Sequence, residues 1–384
     1  MLLLVVKTLF IFLVVLVVFA PLMIWVERKQ GALMQDRIGA NRADIGGVRL
    51  LGLLHPLADA LKLLTKEVVV PTGANRFLHW LAPIIAAVPA LISFAVIPYG
   101  GVYELGGSRI SLVAADIDWG VLYVLAIGSI ATYGAVLAGW SSNSNWSLLG
   151  AVRSTAQMIS YEVTMGLSLV GVFMVFGTLK LSDMAIAQDA TFRVFGFLDL
   201  VPDLRGATGW LDWVRLPNWG VFLQPLAFLM FLTCIMAENK RPPFDLPEGD
   251  SELVAGYMTE YSGMRFGLFY MSEFIEVTII AGLCTALFLG GWSIPYLSQQ
   301  TIIDGIASFL GVGFATLVCM LLHVSAFFVK VGVMIWLQVL IRWSSPRFRY
   351  DQVMDLCWKV ILPLSLINVF VTAFGMLVAA EIGA

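Results

Sequence analysis

The sequence predicts an all-α integral membrane protein built as one polytopic membrane domain over residues 1–384. Hydrophobic residues make up 59% of the chain and charged residues 13%. This composition carries more apolar surface than a water-soluble domain of this size buries. The apolar residues form long blocks without the alternating pattern of barrel strands, so the membrane-spanning segments are expected to be helices.

Eight apolar segments reach the length of about 20 residues that a membrane-spanning helix requires. They lie near residues 5–26, 81–98, 121–140, 155–177, 220–237, 266–290, 318–341 and 360–380. The stretch 302–341 is long enough for two spans, which allows a total of nine. We prefer an interfacial helix followed by one crossing, because a ninth span would move the basic residues after 341 to the outer side.

An amphipathic helix is expected near residues 48–66, between the first and second spans. Its leucines fall on one stripe and its charged residues lie elsewhere, a pattern typical of a helix in the membrane interface. Such a helix would serve either as a surface anchor or as a lip over an opening through which a lipid-soluble molecule enters from the bilayer.

The distribution of Lys and Arg predicts that the N-terminus lies outside. With that orientation, the inward loops 27–80, 141–154, 238–265 and 342–359 carry 16 of these residues, and the outward segments carry 6. The long outward loop covers residues 178–219. We expect the first span to be an uncleaved anchor, because charged residues follow it directly.

The cysteines and histidines indicate neither a metal site nor a haem site on this chain. The four cysteines are dispersed and form no CxxC pair, and the three histidines offer no facing pair for haem. No glycine-rich nucleotide loop follows a predicted strand. Any redox cofactor is therefore expected on partner chains, and nucleic acid is not an expected partner.

Loop 238–265 is unusually rich in carboxylates for a loop between two spans. Its acidic residues are Glu238, Asp245, Glu248, Asp250, Glu252 and Glu260. A solvated acidic loop is the plain alternative, but interleaved aromatic and aliphatic residues suggest that part of the loop packs against protein. Crowded, partly buried carboxylates do not all stay ionised. The loop is therefore a candidate proton store.

Charged residues also occur within the predicted spans, where each costs about 2.5 to 3.5 kcal/mol on insertion scales. They are Glu162, Glu273, Glu276 and Lys330. Glu273 and Glu276 are three residues apart and share a helix face. A static buried pair with Lys330 would explain part of the group, but its position beside the acidic loop favours a polar pathway into the membrane.

Four ordered motifs carry a resemblance to a known family. They are ERK at 27–29 with RIG at 37–39, GWSSNS at 139–144 leading to QMISYE at 157–162, AENKRPPFDLPE at 237–248 with SELVAG at 251–256 and EYSGM at 260–264, and PRFRYDQ at 346–352. In this order they resemble one membrane-subunit family of bacterial type I NADH:quinone oxidoreductase (respiratory complex I), the family whose mitochondrial counterpart is NADH dehydrogenase subunit 1.

The resemblance implies a multi-pass component of a proton-translocating enzyme in the cell inner membrane. Electrons would pass from NADH through FMN and iron–sulfur clusters on partner subunits to quinone, the substrate. This chain would bind no cofactor or metal and would hold no complete active site alone. It would form much of the quinone chamber and would contact peripheral-arm quinone-site subunits, membrane-arm subunits and the lipid bilayer.

The resemblance also implies roles for individual residues. The positions that match the family's acidic path are Glu162, Glu238, Asp245, Glu248, Asp250, Glu252 and Glu273, and Glu260 and Glu276 join them as further acids of the same loop and span. The residues assigned to the quinone chamber or its access side are Glu27, Arg28, Arg37, Arg241 and Arg265, together with the helix near 48–66.

Two other functions stay open at the level of sequence. One is the homologous membrane component of an energy-converting hydrogenase-type complex, which shares the architecture but has a different electron donor. The other is an ion-coupled transporter, a class that also places carboxylates at mid-membrane. The chain has neither the internal repeat nor the paired broken helices typical of that class.

Overall fold

The structure is a computed structural model that describes residues 7–10, 13, 18–105, 108–193, 215–246, 249 and 253–383. Most of the first predicted span lies outside the described residues. So do residues 194–214 of the predicted outward loop and the three acids Glu248, Asp250 and Glu252.

Helices dominate the described residues. In chain order they are α1 (Ala20–Met34), α2 (His55–Thr65), α3 (Arg76–Ser93), α4 (Gly120–Ser141), α5 (Asn145–Phe176), α6 (Leu181–Ala187), α7 (Gly220–Leu223), α8 (Pro225–Glu238), α9 (Gly263–Phe288), α10 (Gln299–Leu310), α11 (Val312–Ser344), α12 (Tyr350–Asp355) and α13 (Leu362–Gly383). Single 3-10 turns lie at Leu50–Gly52, Phe94–Val96 and Gly256–Met258, and a π-helical turn at Leu356–Ile361 joins α12 to α13.

Two short antiparallel hairpins were not predicted from the sequence. One pairs β1 (Val102–Leu105) with β2 (Ser108–Ser111), and the other pairs β3 (Thr191–Arg193) with β4 (Arg215–Pro217). Their strands are three or four residues long, too short to produce a recognisable alternation of polar and apolar residues.

Six of the described helices are long and apolar enough to cross a membrane. They are Arg76–Val96, Gly120–Ser141, Asn145–Phe176, Gly263–Phe288, Val312–Ser344 and Tyr350–Glu381. The shorter apolar helix α8 lies in the fifth predicted span, and α1 includes the end of the first. The predicted all-α membrane fold is therefore confirmed, with the fifth span interrupted at Gln224, where Pro225 starts α8.

The predicted amphipathic helix is shorter than expected, because it begins at His55 and not near residue 48. Gly52 has a φ of +90°, and a Cβ at this position would collide with the carbonyl oxygen of Ala40. The chain therefore turns tightly before α2 starts. The leucines Leu57, Leu61 and Leu64 are all exposed, as expected of an apolar face that lies in the membrane interface.

The stretch 302–341 contains one helix of spanning length. The helix α10 has 12 residues, so it is about 18 Å long and too short for a hydrocarbon core of about 30 Å. Gly311, with a φ of +82°, separates it from the 33-residue helix α11. This agrees with the predicted arrangement of a short helix followed by one crossing.

The loops that were predicted to lie on one side of the membrane meet at one end of the bundle. The backbone of Asn75 bonds to Ser141, that of Val69 to the Ser262 hydroxyl, and that of Phe348 to the Pro243 carbonyl. We call this end, formed by the loops around residues 66–75, 141–144, 239–262 and 345–349, the charged end. The helix α9 runs from it through the centre of the bundle, and 83% of the most apolar part of α9 is buried.

Candidate functional site

Three of the predicted proton-pathway carboxylates line one small cavity inside the bundle. Glu162 comes from α5, Glu238 is the last residue of α8, and Glu276 lies on α9. The cavity has a volume of about 50 Å³, which exceeds the roughly 15 Å³ that one water molecule needs. Its wall also includes Ser93 and, toward the other end of the bundle, apolar residues such as Leu283. We call it the carboxylate cavity.

Glu238 occupies its position because the chain on both sides of it is fixed to α5. The Gln157 amide nitrogen donates hydrogen bonds of 2.7 Å to the carbonyls of both Ala237 and Phe244. Glu238 itself is buried, and its Oε2 has no hydrogen-bond partner among the described protein atoms. The side chain interacts electrostatically with Glu276 and Glu162, so the three carboxyl groups act on one another.

A second group of charges lies beside this cavity, toward the charged end. We call Glu27, Arg241, Glu273 and Arg342 the charge cluster. The Arg241 guanidinium lies 3.9 Å from a carboxylate oxygen of Glu27 and 3.5 Å from one of Glu273. Arg342 pairs with the other oxygen of Glu27. Two acids thus alternate with two bases, an arrangement that offsets part of the cost of burying each charge.

Aromatic side chains complete the charge cluster. The Tyr257 hydroxyl donates a 3.3 Å hydrogen bond to Glu273, and the Arg241 guanidinium lies over the Phe274 ring, 4.8 Å from its centre. A narrow cavity of about 20 Å³ touches Glu27, Arg241, Phe274 and Arg342. The charged side chains therefore border internal space and are not sealed in a fully packed core.

A large cavity opens between α1, α2 and α9 at the charged end. Its volume is about 480 Å³, within the 300–1,000 Å³ range of small-molecule sites. The wall is mainly apolar and includes Leu63, Tyr270 and Met271. Arg28 and Asp59 form a 2.6 Å ion pair at the cavity and are partly exposed. We call it the access cavity, since α2 is the helix predicted to form a lip over an opening.

The other predicted access residues lie apart from this cavity. Arg37 lines a separate cavity of about 300 Å³, which it shares with Arg28 and Trp343. Arg265 bonds to His79 at 3.1 Å, and the Tyr261 ring stacks on the His79 ring at 3.9 Å. Burial raises the pKa of Tyr261 to about 12, so its hydroxyl stays protonated near neutral pH.

The remaining predicted acids are not part of the carboxylate cavity's wall. Glu260 is partly buried, and its backbone bonds to His79. Asp245 is partly buried in the segment that Gln157 anchors. Lys330 also lies apart from these acids, because its ammonium group bonds to the carbonyls of the Leu289–Ser293 turn at the opposite end of α9.

Sequence reasoning missed two contributors to the site. Gln157 was noted only as part of a motif, although a fully buried amide in an apolar helix needs hydrogen-bond partners and was therefore a signal. Arg342 was counted only for topology. Its pairing with Glu27 joins residues more than three hundred positions apart, and no local pattern reveals such a contact.

Comparison with known proteins gives a consistent result over nearly the whole chain. Residues 6–373 match the NADH dehydrogenase family. A membrane component of NADH-quinone oxidoreductase from Geobacter metallireducens is 45% identical over 368 residues, covering 96% of this chain and 94% of the relative. The same component of the enzyme from Thermomicrobium roseum is 43% identical, with 94% and 93% covered. That from Bdellovibrio bacteriovorus is 41% identical, with 94% and 92% covered.

Proposed function

The chain belongs to the NADH dehydrogenase family as a membrane component of NADH-quinone oxidoreductase, and from this membership we propose two tasks for it. It forms the chamber through which quinone reaches the enzyme, and it carries the acidic link between quinone reduction and proton pumping. The observation that carries the proposal is that a single helix, α9, borders the access cavity, the charge cluster and the carboxylate cavity in succession.

The succession along α9 is short. Tyr270 lines the access cavity, Glu273 pairs with Arg241, and Glu276 lines the carboxylate cavity. These residues are spaced three apart, so they share one face of the helix, and the whole series spans about 9 Å. A change of charge at a molecule in the access cavity would act on Glu276 through only one intervening group of charges.

The access cavity suits an amphipathic, lipid-soluble ligand such as quinone. Its wall is mainly apolar, its volume is about 480 Å³, and one side is formed by α2, whose exposed leucines suit the membrane interface. Arg28 and Asp59 supply polar groups at this cavity. A quinone would keep its apolar tail on the lipid side and pass its polar ring along the wall.

The coupling is electrostatic in this proposal. Arg241 is shared between Glu27 and Glu273, and Glu27 has a second partner in Arg342. Quinone reduction takes up electrons and protons and therefore changes the charge near the access cavity. Arg241 responds by shifting between its two carboxylates, and the altered field moves protons among Glu273, Glu276 and Glu238.

The proposal includes partners and orientation. FMN and iron–sulfur clusters belong to partner subunits, and the charged end receives the peripheral-arm quinone-site subunits. Membrane-arm subunits and lipid cover the sides of the bundle. The protein lies in the cell inner membrane with its N-terminus outside, so that the charged end faces inward, in agreement with the excess of Lys and Arg in the loops that meet there.

The acidic link is tested with Glu238→Gln in the assembled enzyme. We expect this variant to lower both NADH-driven proton pumping into membrane vesicles and quinone reductase activity. The matched control is Glu104→Gln, because Glu104 is exposed on a hairpin and pairs only with the exposed Arg109 in the described part of the chain. Full pumping in Glu238→Gln would contradict the acidic link.

The access chamber is tested with Ala60→Trp, which adds a large side chain inside the access cavity. We expect a higher KM for long-tailed quinones. The control is Leu61→Trp, because Leu61 is the next residue on α2, is 55% exposed and is not part of the cavity wall. An unchanged KM in Ala60→Trp would place quinone access elsewhere.

A further inference from the structure

A buried glutamine joins three helices at the end of the bundle opposite the charged end. Gln188 follows α6 and has no exposed surface. Its Oε1 accepts hydrogen bonds from the backbone of Gly220 at 3.1 Å and of Gly290 at 2.9 Å. Its amide nitrogen donates to the carbonyl of Ala286 at 2.9 Å. One side chain therefore binds the start of α7 and the end of α9.

Lys330 of α11 binds the same end of α9. Its ammonium group donates to the carbonyls of Leu289, Gly291 and Ser293 at 2.7, 3.1 and 2.6 Å. All three ammonium hydrogens are thereby used. A cation near the carboxyl end of a helix also interacts favourably with the helix dipole. The ammonium group lies over the Trp219 ring at 4.6 Å, immediately before α7.

The backbone at this point has little to hold it without these side chains. Gly290 and Gly291 both have positive φ values, +75° and +52°, and the segment after α7 is interrupted at Gln224 and Pro225. Regular helical hydrogen bonds therefore fix neither the end of α9 nor the start of α8. The side chains of Gln188 and Lys330 replace them.

We propose that Gln188 and Lys330 form a clamp that sets the height of α9 relative to α8, and that they are thereby positioning residues for the carboxylate cavity. The clamp holds α9 about 15 Å from Glu276, a distance of ten helical residues. Through Gly220 it also holds the segment that continues into α8, which ends at Glu238. The relative height of the two helices decides whether these carboxyl groups face the same cavity.

This inference rests on the proposed function, because the alignment matters only if the carboxylates exchange protons. Loss of the clamp is expected to reduce the number of protons pumped per NADH oxidised more than the rate of NADH oxidation. A role in stability alone would lower the amount of enzyme, and with it both rates in equal proportion. The ratio of pumping to oxidation therefore separates positioning from simple stabilisation.

The test uses the assembled enzyme in membrane vesicles, with the variants Gln188→Leu and Lys330→Met. Gln299→Leu is the matched control, since Gln299 lies at the same end and donates one hydrogen bond to the Val102 carbonyl from an exposed position. Lys330→Arg keeps donors for the same carbonyls and should retain the wild-type ratio. Hydrogen exchange of residues 285–293 should become about tenfold faster in the removal variants, the effect expected for one buried hydrogen bond.

The outcomes separate the two proposals. A lowered ratio in either removal variant, with a normal ratio in Gln299→Leu and Lys330→Arg, supports the clamp. A normal ratio in Gln188→Leu and Lys330→Met, with a lowered ratio in Glu276→Gln, overturns the clamp and leaves the proposed function intact. A normal ratio in Glu276→Gln overturns the proposed function itself.

Variants that fail to assemble still leave the clamp open to refutation. If one removal variant is not incorporated into the enzyme, the other decides. If both are lost, Gln188→Glu is measured, because it keeps the acceptor oxygen for Gly220 and Gly290 and removes only the bond to Ala286. A wild-type ratio in that variant overturns the clamp, and a lowered ratio supports it.

Discussion

Replacement of Arg241 by Met tests how much the charge cluster depends on its shared guanidinium. The variant leaves Glu27 paired with Arg342, but Glu273 keeps only the Tyr257 hydroxyl among its described partners. Removing one partner from a buried ion pair costs about 3 to 5 kcal/mol. The separations of 3.5 and 3.9 Å are long for such pairs, so we expect about 3 kcal/mol, equivalent to roughly a hundredfold change in rate or equilibrium.

The assay is the rate of irreversible heat inactivation of the detergent-solubilised enzyme, because an equilibrium free energy is not defined for a large assembly. Arg241→Met should inactivate up to about a hundredfold faster than wild type. The double variant with Glu273→Gln should recover most of the loss, because it leaves no uncompensated charge. Arg109→Met, which breaks an exposed pair, serves as the control and should change nothing measurable.

The reasoning about the charge cluster would be refuted by an Arg241→Met enzyme that is as heat-stable as wild type. It would also be refuted if adding Glu273→Gln made the variant less stable. In the first case the buried charges would have compensation from groups outside the cluster. In the second, Glu273 would contribute to stability without needing Arg241.

Three further predictions concern packing and hydrogen bonding. Gln157→Leu removes two 2.7 Å bonds; it should cost about 2 kcal/mol, measured as faster heat inactivation. Gly150→Val places a Cβ 2.7 Å from the backbone of the turn before α9 and should reduce the amount of assembled enzyme on native gels, whereas Gly166→Val, which meets nothing within 4 Å, should not. Asp116→Asn breaks a 2.9 Å pair with the partly exposed Lys180 and should cost less than about 1 kcal/mol in heat stability. The hydrogen bond from Asp116 raises the pKa of Lys180 above its usual 10.5, so this contribution is constant below that pH and is lost as pH rises further.

The sequence predicted the membrane helices well because long apolar blocks have few alternatives in lipid. It also predicted which loops meet, since the alternation of crossings dictates it. The start of α2 was misplaced, because the leucine stripe continues through Leu50 and Leu54 while the backbone turns at Gly52. The break at Pro225 was likewise hidden inside a uniformly apolar segment.

The site was predicted residue by residue only in part. The proposal that intramembrane acids gather was made from their cost in lipid, and Glu162, Glu238 and Glu276 do line one cavity. Separation of Glu273 from Glu276 into two environments depends on Arg241, which arrives from a distant loop. The sequence grouped Lys330 with the acids by its depth in a span, but its partners are carbonyls at the opposite end of the bundle.

The two other functions considered from the sequence have less support than the quinone enzyme. The relatives described above, which cover over nine-tenths of the chain, are components of NADH-quinone oxidoreductase. The access cavity beside α2 also suits a lipid-soluble substrate.

The central claim is that buried carboxyl groups change their protonation when quinone is reduced, and infrared difference spectroscopy of the enzyme during quinone reduction tests it most directly. The account predicts a carboxyl signal in the wild-type difference spectrum that is lost or shifted in Glu276→Gln and Glu238→Gln and unchanged in Glu104→Gln. Identical difference spectra in all four proteins would contradict it, because the carboxylate cavity would then take no part in the response to quinone.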